Sequence, residues 1–142
     1  IKLFNHLRSR DSNLNLAISN KEGNVEMFYQ KKLSQLSTIK KEYANKSFQG
    51  NIKTKEINSK TLTSVLNDSK FKGKKIDFLD IDVEGADIDV LESLDFDKYS
   101  PELICVEVIE KNNEESQIFK FLKKRGYQKI WSGVFSHVFK RT

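Results

Sequence analysis

Three acidic residues alternate with apolar ones in one short stretch of the sequence, at Asp80, Asp82 and Glu84, and Gly85 follows directly. The pattern of residues 76–83 predicts a strand that ends in carboxylates and turns through the glycine into a helix. Residues two apart in a strand project to the same side, so we expect the three acids to share one side. A carboxylate at a strand end can orient a hydroxyl group or accept its proton. The stretch therefore predicts the polar rim of an active-site cleft.

A second apolar stretch, residues 103–109, carries acids toward its end and just beyond it, at Glu107 and Glu110. The carboxyl ends of neighbouring parallel strands meet at one edge of a sheet, where α/β proteins place their sites. We therefore expect Glu107 to join Asp82 and Glu84 at the same rim. These three residues are the candidate catalytic residues: we expect Asp82 and Glu84 to lie nearest to a reacting hydroxyl group, one orienting it or acting as its base, with Glu107 supporting them or serving as an alternative partner.

Other interpretations of the acids remain open. Asp82 and Glu84 could cap the helix that follows and favour the positive end of its dipole. Acids close together could hold Mg²⁺ or Mn²⁺, although no spacing in the sequence requires a metal. The spacing from Asp80 to Gly85 also matches the start of an EF-hand calcium loop, but Leu91 stands where that loop needs a bidentate glutamate. We assign no metal ligand to this chain.

The composition narrows the classes of protein and partner. The chain has 142 residues and a formal net charge of +5, with its positive charge concentrated in residues 1–75. This length fits a single domain. The lysines lie without interleaved aromatic residues or a nucleic-acid motif, which favours a solvated lysine-rich surface over nucleic-acid binding. No apolar run approaches the length of a membrane span, so we expect no membrane partner.

Cysteine and histidine usage suggests no further chemistry. The single Cys105 excludes an internal disulfide and fits a reducing, cytoplasmic setting. His6 and His137 are far apart in the sequence, and we interpret both as surface or core histidines rather than catalytic ones.

Strand and helix patterns alternate along the rest of the chain. Strand patterns cover residues 14–19, 25–29 and 52–57, helix patterns cover residues 2–8, 62–66, 88–94 and 118–122, and residues 128–131 and 134–140 form a predicted hairpin. Residues 30–51 are polar and lack a clear period, which predicts an exposed excursion or lid. This order predicts an α/β fold with a mostly parallel sheet and an antiparallel C-terminal hairpin.

Residues 76–91, 101–108 and 121–127 together resemble the C-terminal part of FkbM-family methyltransferases. The most specific element is Ile81-Asp-Val-Glu-Gly85, and residues 15–28 are similar to an earlier strand-turn-strand of the family. The resemblance implies a Rossmann-like class I methyltransferase fold with S-adenosylmethionine as cofactor. It also implies methylation of a hydroxyl group on a sugar or another small metabolite.

The resemblance implies roles for individual residues as well. The residues that it places at the cofactor, in part through their backbone at the adenine pocket, are Asn15, Ala17, Ser19, Asp82 and Gly85. Asp87 stands where the family usually has glutamate. The family's glycine-rich cofactor turn has no counterpart in this sequence, so we expect at least one βαβ unit before Ile1. On this interpretation, residues 1–142 are the C-terminal portion of one catalytic domain and are inactive alone.

Two classes of function follow from these observations. The first is an S-adenosylmethionine-dependent O-methyltransferase whose partner is a small-molecule acceptor, such as a sugar or glycan hydroxyl. The second is a non-catalytic α/β binding or partner domain, including a carbohydrate-binding relative, that retains the sheet but not the cofactor site. A glycine-rich turn after a strand upstream of Ile1 would favour the first class.

Overall fold

The computed structural model describes residues 1–31, 36–108 and 116–142. The predicted acid Glu110 lies outside these residues. The helices are α1 (Lys2–Leu7), α2 (Lys41–Ser47), α3 (Leu62–Asn67), α4 (Asp87–Glu92) and α5 (Gln117–Lys124). The strands are β1 (Ala17–Ile18), β2 (Gly23–Tyr29), β3 (Lys53–Lys60), β4 (Phe78–Ile81), β5 (Leu103–Glu107), β6 (Tyr127–Ser132) and β7 (Ser136–Arg141). The chain is therefore a mixed α/β protein, as its alternating patterns predicted.

The strands form two small sheets, in the orders β1-β3-β2 and β4-β5-β7-β6. Strands β4 and β5 pair in parallel, and β1 pairs in parallel with β3. The pairs β2-β3, β5-β7 and β6-β7 are antiparallel. The expectation of a mostly parallel sheet is thus wrong for the described strands, because β3 returns along β2 and the C-terminal hairpin adds two antiparallel pairs. The antiparallel C-terminal hairpin itself is confirmed.

The main core lies between the four-stranded sheet and helices α4 and α5. Alternate residues of β5, Ile104 and Val106, are buried, and Phe139 of β7 lies opposite Ile104 in the register. They pack in one cluster with Leu91 of α4 and Leu122 of α5. This apolar contact places the first turns of both helices near the carboxyl ends of β4 and β5.

The opposite side of β4 is open to solvent. Phe78 is 52% exposed, and Asp80 and Asp82 are also exposed, whereas Ile81 is buried in the core. The alternation predicted for this strand is therefore observed as far as Ile81. Glu84 lies beyond the end of β4, in the turn that leads to α4, and so leaves the strand alternation.

Polar residues at the helix ends explain where two of the helices begin and end. The hydroxyl group of Thr61 accepts a hydrogen bond from the Ser64 backbone N–H at the start of α3. Ser116 accepts one from the Phe119 N–H at the start of α5. Gly126 follows α5 with a φ of +78°, the left-handed conformation that favours glycine after a helix.

Residues 30–51 contain more regular structure than their sequence predicts. They include helix α2, and Thr38 forms an isolated antiparallel bridge with Phe28 of β2. Ala44 and Phe48 are buried in a small cluster with Phe28. Ala44 lies within α2 and Phe48 follows directly after it, so these two apolar residues form a pattern too short to stand out from the surrounding polar residues.

Candidate active site

The turn after β4 has an unusual backbone conformation. Glu84 has a φ of +53° and Gly85 a φ of +88°, so two consecutive residues are left-handed. Such a conformation costs free energy for any residue other than glycine, and it occurs often at functional sites. The Thr38 hydroxyl donates a 2.8 Å hydrogen bond to the Glu84 carbonyl oxygen and helps to hold the turn in place.

Tyr43 of α2 packs directly over this turn. A Cβ atom added at Gly85 would lie 2.6 Å from Cδ2 of the Tyr43 ring, so only glycine fits beneath it. The Tyr43 hydroxyl donates a hydrogen bond to the Glu84 carboxylate. Burial, together with this contact, raises the pKa of Tyr43 to about 12. Gly85 thus allows another group to come close to its backbone, and in the described structure that group is the ring of Tyr43.

Asp87, the first residue of α4, is a buried acid with one oxygen unsatisfied. Its side chain is 3% exposed, and Oδ2 accepts a 3.1 Å hydrogen bond from the Gly85 N–H. Oδ1 is buried and has no hydrogen-bond partner among the described residues. Burial raises the pKa of Asp87 to about 6, although hydrogen bonds from nearby backbone groups oppose the shift. This carboxyl group therefore changes its charge close to neutral pH.

Glu107 ends β5 and meets the acids that follow β4. Its Oε2 atom is buried, again without a partner among the described residues. Burial raises the pKa of Glu107, and the negative charges of Asp82, Glu84 and Asp87 raise it further. The structure therefore brings the acids of the two parallel strands together at one edge of the sheet.

A cavity of about 810 Å³ opens at this edge, and we call it the rim cavity. Helix α2, the β4–α4 turn, the end of β5 and the start of α5 all contribute to its walls. Its polar lining includes Lys41, Tyr43, Lys46, Asp87, Glu107 and Gln117. The volume lies within the range of about 300–1,000 Å³ that is usual for small-molecule sites. The rim cavity thus combines room for a ligand with two carboxyl groups whose oxygens lack partners.

The other candidate residues lie at different distances from this cavity. Asp82 is exposed just beyond β4 and is absent from the cavity lining, but its charge raises the pKa of both Asp87 and Glu107. Glu84 is half-buried and held by Tyr43. Gly85 forms part of the cavity wall. Of the candidate catalytic residues, Glu107 is the one whose side chain lies in the cavity lining.

The three predicted cofactor residues of the N-terminal segment belong to the other sheet. Ala17 lies in β1 opposite Ser59, and Asn15 precedes that strand. Ser19 is buried, and its hydroxyl group contacts both the Ser59 hydroxyl and the Lys21 carbonyl. None of the three lines the rim cavity. Their role at the cofactor stays a prediction.

Sequence reasoning missed two residues that shape this site. Asp87 was noted only as a departure from the family pattern, although its place two residues after the glycine put it at the start of the predicted helix. Tyr43 lies in a segment whose polar composition hid a helix. The signal available for Tyr43 was its aromatic side chain next to Ala44, the first residue of the short apolar pattern.

The described residues include no group of three or more histidine, cysteine, aspartate or glutamate side chains arranged to hold a metal.

The Nε2 atom of His137 is a further buried atom without a partner among the described residues, but this ring belongs to the core. Its Nδ1 atom lies 3.0 Å from the Ser132 hydroxyl, and its ring packs edge-on against Phe119. Burial lowers the pKa of His137, so the ring is neutral and costs less to bury than a charged group.

None of the helices in the described part of the chain is long and apolar enough to cross a membrane.

The comparison with known proteins gives one family. Residues 3–129, which make up most of the chain, match the family model of the methyltransferase FkbM domain. No curated protein and no solved structure matches the chain. The match includes helix α2, the β4–α4 turn, the end of β5 and the start of α5, and therefore all four elements around the rim cavity. The chain belongs to the FkbM methyltransferase family.

Proposed function

We propose that the protein is an S-adenosylmethionine-dependent O-methyltransferase that acts on a hydroxyl group of a small acceptor such as a sugar. One observation carries this proposal: Asp87 and Glu107 both line the rim cavity, and each has a buried oxygen without a partner among the described residues. A buried polar atom without a partner costs free energy, about 1–3 kcal/mol, unless a ligand satisfies it. An acceptor hydroxyl is the hydrogen-bond donor that these oxygens lack.

The residues at the rim fit the proposed cofactor. When bound, S-adenosylmethionine supplies a methyl group carried on a positively charged sulfur. The negative charges of Asp82, Asp87 and Glu107 favour a cation at this edge of the sheet. Gly85 lies in the cavity wall with its close approach occupied by the Tyr43 ring, and Gly85, Asn15, Ala17 and Ser19 remain the residues proposed for the cofactor.

Each residue then has a distinct role in transfer. Glu107 would accept a hydrogen bond from the acceptor hydroxyl and take its proton as that oxygen receives the methyl group, which the cofactor would supply when bound. Asp87 orients the same hydroxyl from the start of α4. Glu84 fixes the turn through Tyr43, and Asp82 acts on both acids through its charge. The parallel pair β4-β5, with its acids at one edge, supports a Rossmann-like arrangement for this half of the site.

The test measures binding and transfer separately. We would titrate S-adenosylmethionine by calorimetry into the polypeptide that contains these residues together with any segment that precedes Ile1. Transfer of a labelled methyl group would then be measured across a panel of sugars and polyols. We expect both cofactor binding and labelled product. Sugar binding without cofactor binding or labelled product would instead identify the non-catalytic α/β binding domain.

A further inference from the structure

The rim cavity has a second set of charged groups, on helix α2. Lys40, Lys41 and Lys46 line it, together with Glu42. Lys40 is held by an ion pair with Asp89 of α4, with 2.5 Å between Nζ and Oδ2. Lys41 and Lys46 take part in none of the ion pairs found among residues 1–31, 36–108 and 116–142. Two cations at the cavity therefore form no ion pair within the described structure, although Glu42 lies in the same lining.

These lysines do not neutralise the acids of the same cavity. Asp87 is 3% exposed and its Oδ1 atom has no hydrogen-bond partner within the described structure. The pKa values of Asp87 and Glu107 are raised first by burial and then by neighbouring acids. The cavity thus has Asp87 and Glu107 at the sheet edge, and Lys41 and Lys46 on α2 with Glu42 as the one acid of that helix in the lining.

We propose that the acceptor is an anionic hydroxylated molecule, whose phosphate or carboxylate group binds Lys41 and Lys46 while a hydroxyl group reaches Asp87 and Glu107. This inference rests on the proposed function and specifies its substrate class. A neutral sugar would satisfy the acids and leave both lysines unused. An anion placed at the acids would be repelled. Only a ligand with a hydroxyl group at one end and an anionic group at the other satisfies both sets of residues.

The experiment compares three probes of one sugar scaffold by calorimetry at low ionic strength, without cofactor. The probes are glucose, glucose 6-phosphate and glucuronate, so the last two arms separate phosphate from carboxylate recognition. We expect at least one anionic probe to bind about tenfold or more tightly than glucose, as charge-assisted hydrogen bonds predict. In the double variant Lys41→Gln, Lys46→Gln, we expect this preference to disappear.

A matched double variant controls for the positive net charge of the chain. Lys53 and Lys55 are exposed residues of β3 and do not line the rim cavity, so Lys53→Gln, Lys55→Gln removes the same charge elsewhere. We expect the control to keep the preference for the anionic probe. Equal binding of all three probes by the unmodified protein, or an equal loss in both double variants, would overturn the inference.

The two proposals fail in different ways. Methyl transfer to neutral sugars only would overturn the anionic acceptor and leave the methyltransferase intact. Lysine-dependent binding of an anionic sugar without any methyl transfer would overturn the methyltransferase and leave the anionic ligand intact.

Discussion

Two regions of this protein bury polar side chains, and the two regions differ in how far those side chains find hydrogen-bond partners. In the three-stranded sheet, the hydroxyl groups of Ser19 and Ser59 lie 2.9 Å apart, and Ser19 also reaches the carbonyl group of Lys21. At the rim cavity, Asp87 and Glu107 each keep a buried oxygen without a partner among the described residues. The first region is complete within the chain itself. The second lacks donors among the described residues.

The difference distinguishes buried polar groups that stabilise the fold from buried polar groups that serve a function. A satisfied buried pair contributes modestly to folding, whereas an unsatisfied buried acid reduces stability and persists where function needs it. The acids with unpartnered oxygens also lie against a cavity, and the serines do not. We therefore place the chemistry at the ends of β4 and β5 and expect substitutions in the two regions to have opposite consequences.

The largest expected effect is the loss of methyl transfer on Glu107→Gln. Glutamine keeps the shape and polarity of the side chain but cannot take a proton. We expect the turnover number to fall about 10²–10⁴-fold, the usual contribution of a general base. The assay is labelled methyl transfer under saturating cofactor and acceptor.

Asp80→Asn is the matched control for this variant. Asp80 is an exposed acid of the neighbouring strand and does not line the cavity. We expect its turnover to stay within about twofold of the unmodified protein, as surface substitutions usually have small effects. Equal losses in the two variants would indicate that bulk negative charge, rather than Glu107, supports the reaction.

A substitution in the β4–α4 turn sharpens the comparison because it changes the backbone that positions the acids and leaves the acids themselves unchanged. Gly85→Ala and Gly50→Ala both place a side chain at a φ close to +88°, a strain of about 1–2 kcal/mol. The added Cβ meets Tyr43 at position 85 and meets nothing within 4 Å at position 50. We expect Gly85→Ala to lower the free energy of unfolding by about 1–3 kcal/mol more than Gly50→Ala, since overpacking adds to the strain.

Urea unfolding of both variants measures this difference directly. Similar losses at the two positions would show that the Tyr43 ring moves aside easily, and that the turn does not depend on its contact with α2.

The pH dependence of stability tests whether the buried Asp87 carboxylate lowers the stability of the fold. Its pKa rises from its usual 3.8 to about 6 on folding, so the folded state holds the proton more tightly than the unfolded state. The charged form therefore destabilises the fold increasingly as the pH rises from about 4 to 6, and fully above that. We expect Asp87→Asn to be more stable than the unmodified protein by about 2–3 kcal/mol at pH 8 and equally stable below pH 4.

Urea unfolding across this pH range gives the measurement, with Asp97→Asn as an exposed control that we expect to change stability by less than about 0.5 kcal/mol. A loss of stability in Asp87→Asn at pH 8 would mean that the acid is structurally satisfied, and the contrast between the two regions would not hold.

The smallest effect is expected in the satisfied region. Ser59 is fully buried, and Ser59→Ala removes its hydrogen bond with Ser19 while Ser19 keeps the Lys21 carbonyl group. We expect a loss of about 1 kcal/mol of stability, the usual worth of one such bond, and no change in turnover. A large loss of turnover at normal stability would instead bring β1 and β3 into the active site, and with them the predicted cofactor residues.

Much of the four-stranded sheet could be predicted from the sequence because its signals are local. The apolar runs around β4 and β5 and the turn at Ser132 and Gly133 are each readable within ten residues or so. The meeting of acids at one rim followed from the rule that parallel strands end at a common edge. The bounds of β4 were overestimated, because the left-handed turn begins sooner than the acidic alternation suggests.

The parts that the sequence could not reveal depend on contacts between distant segments. Helix α2 is stabilised by Phe28 of β2 and by the turn at Gly85, neither of which is close in the chain. The burial of Asp87 requires α2, α4 and β5 to be in place together, so a fourth acid in an acidic motif gave no sign of it. The parallel pairing of β1 with β3 likewise joins two strands that β2 separates in the sequence.

The exposed side of β4 has a consequence for solubility. Among the described strands, β4 lies at the end of its sheet, with β5 as its single neighbour. An open edge presents unpaired backbone groups to which a second chain can add a strand, and charged side chains discourage such addition. We therefore expect Asp80 and Asp82, exposed at and just beyond this strand, to discourage the addition of a second chain. Neutralising both of them together should make the protein precipitate at lower concentration, even where its fold and its cavity are unchanged.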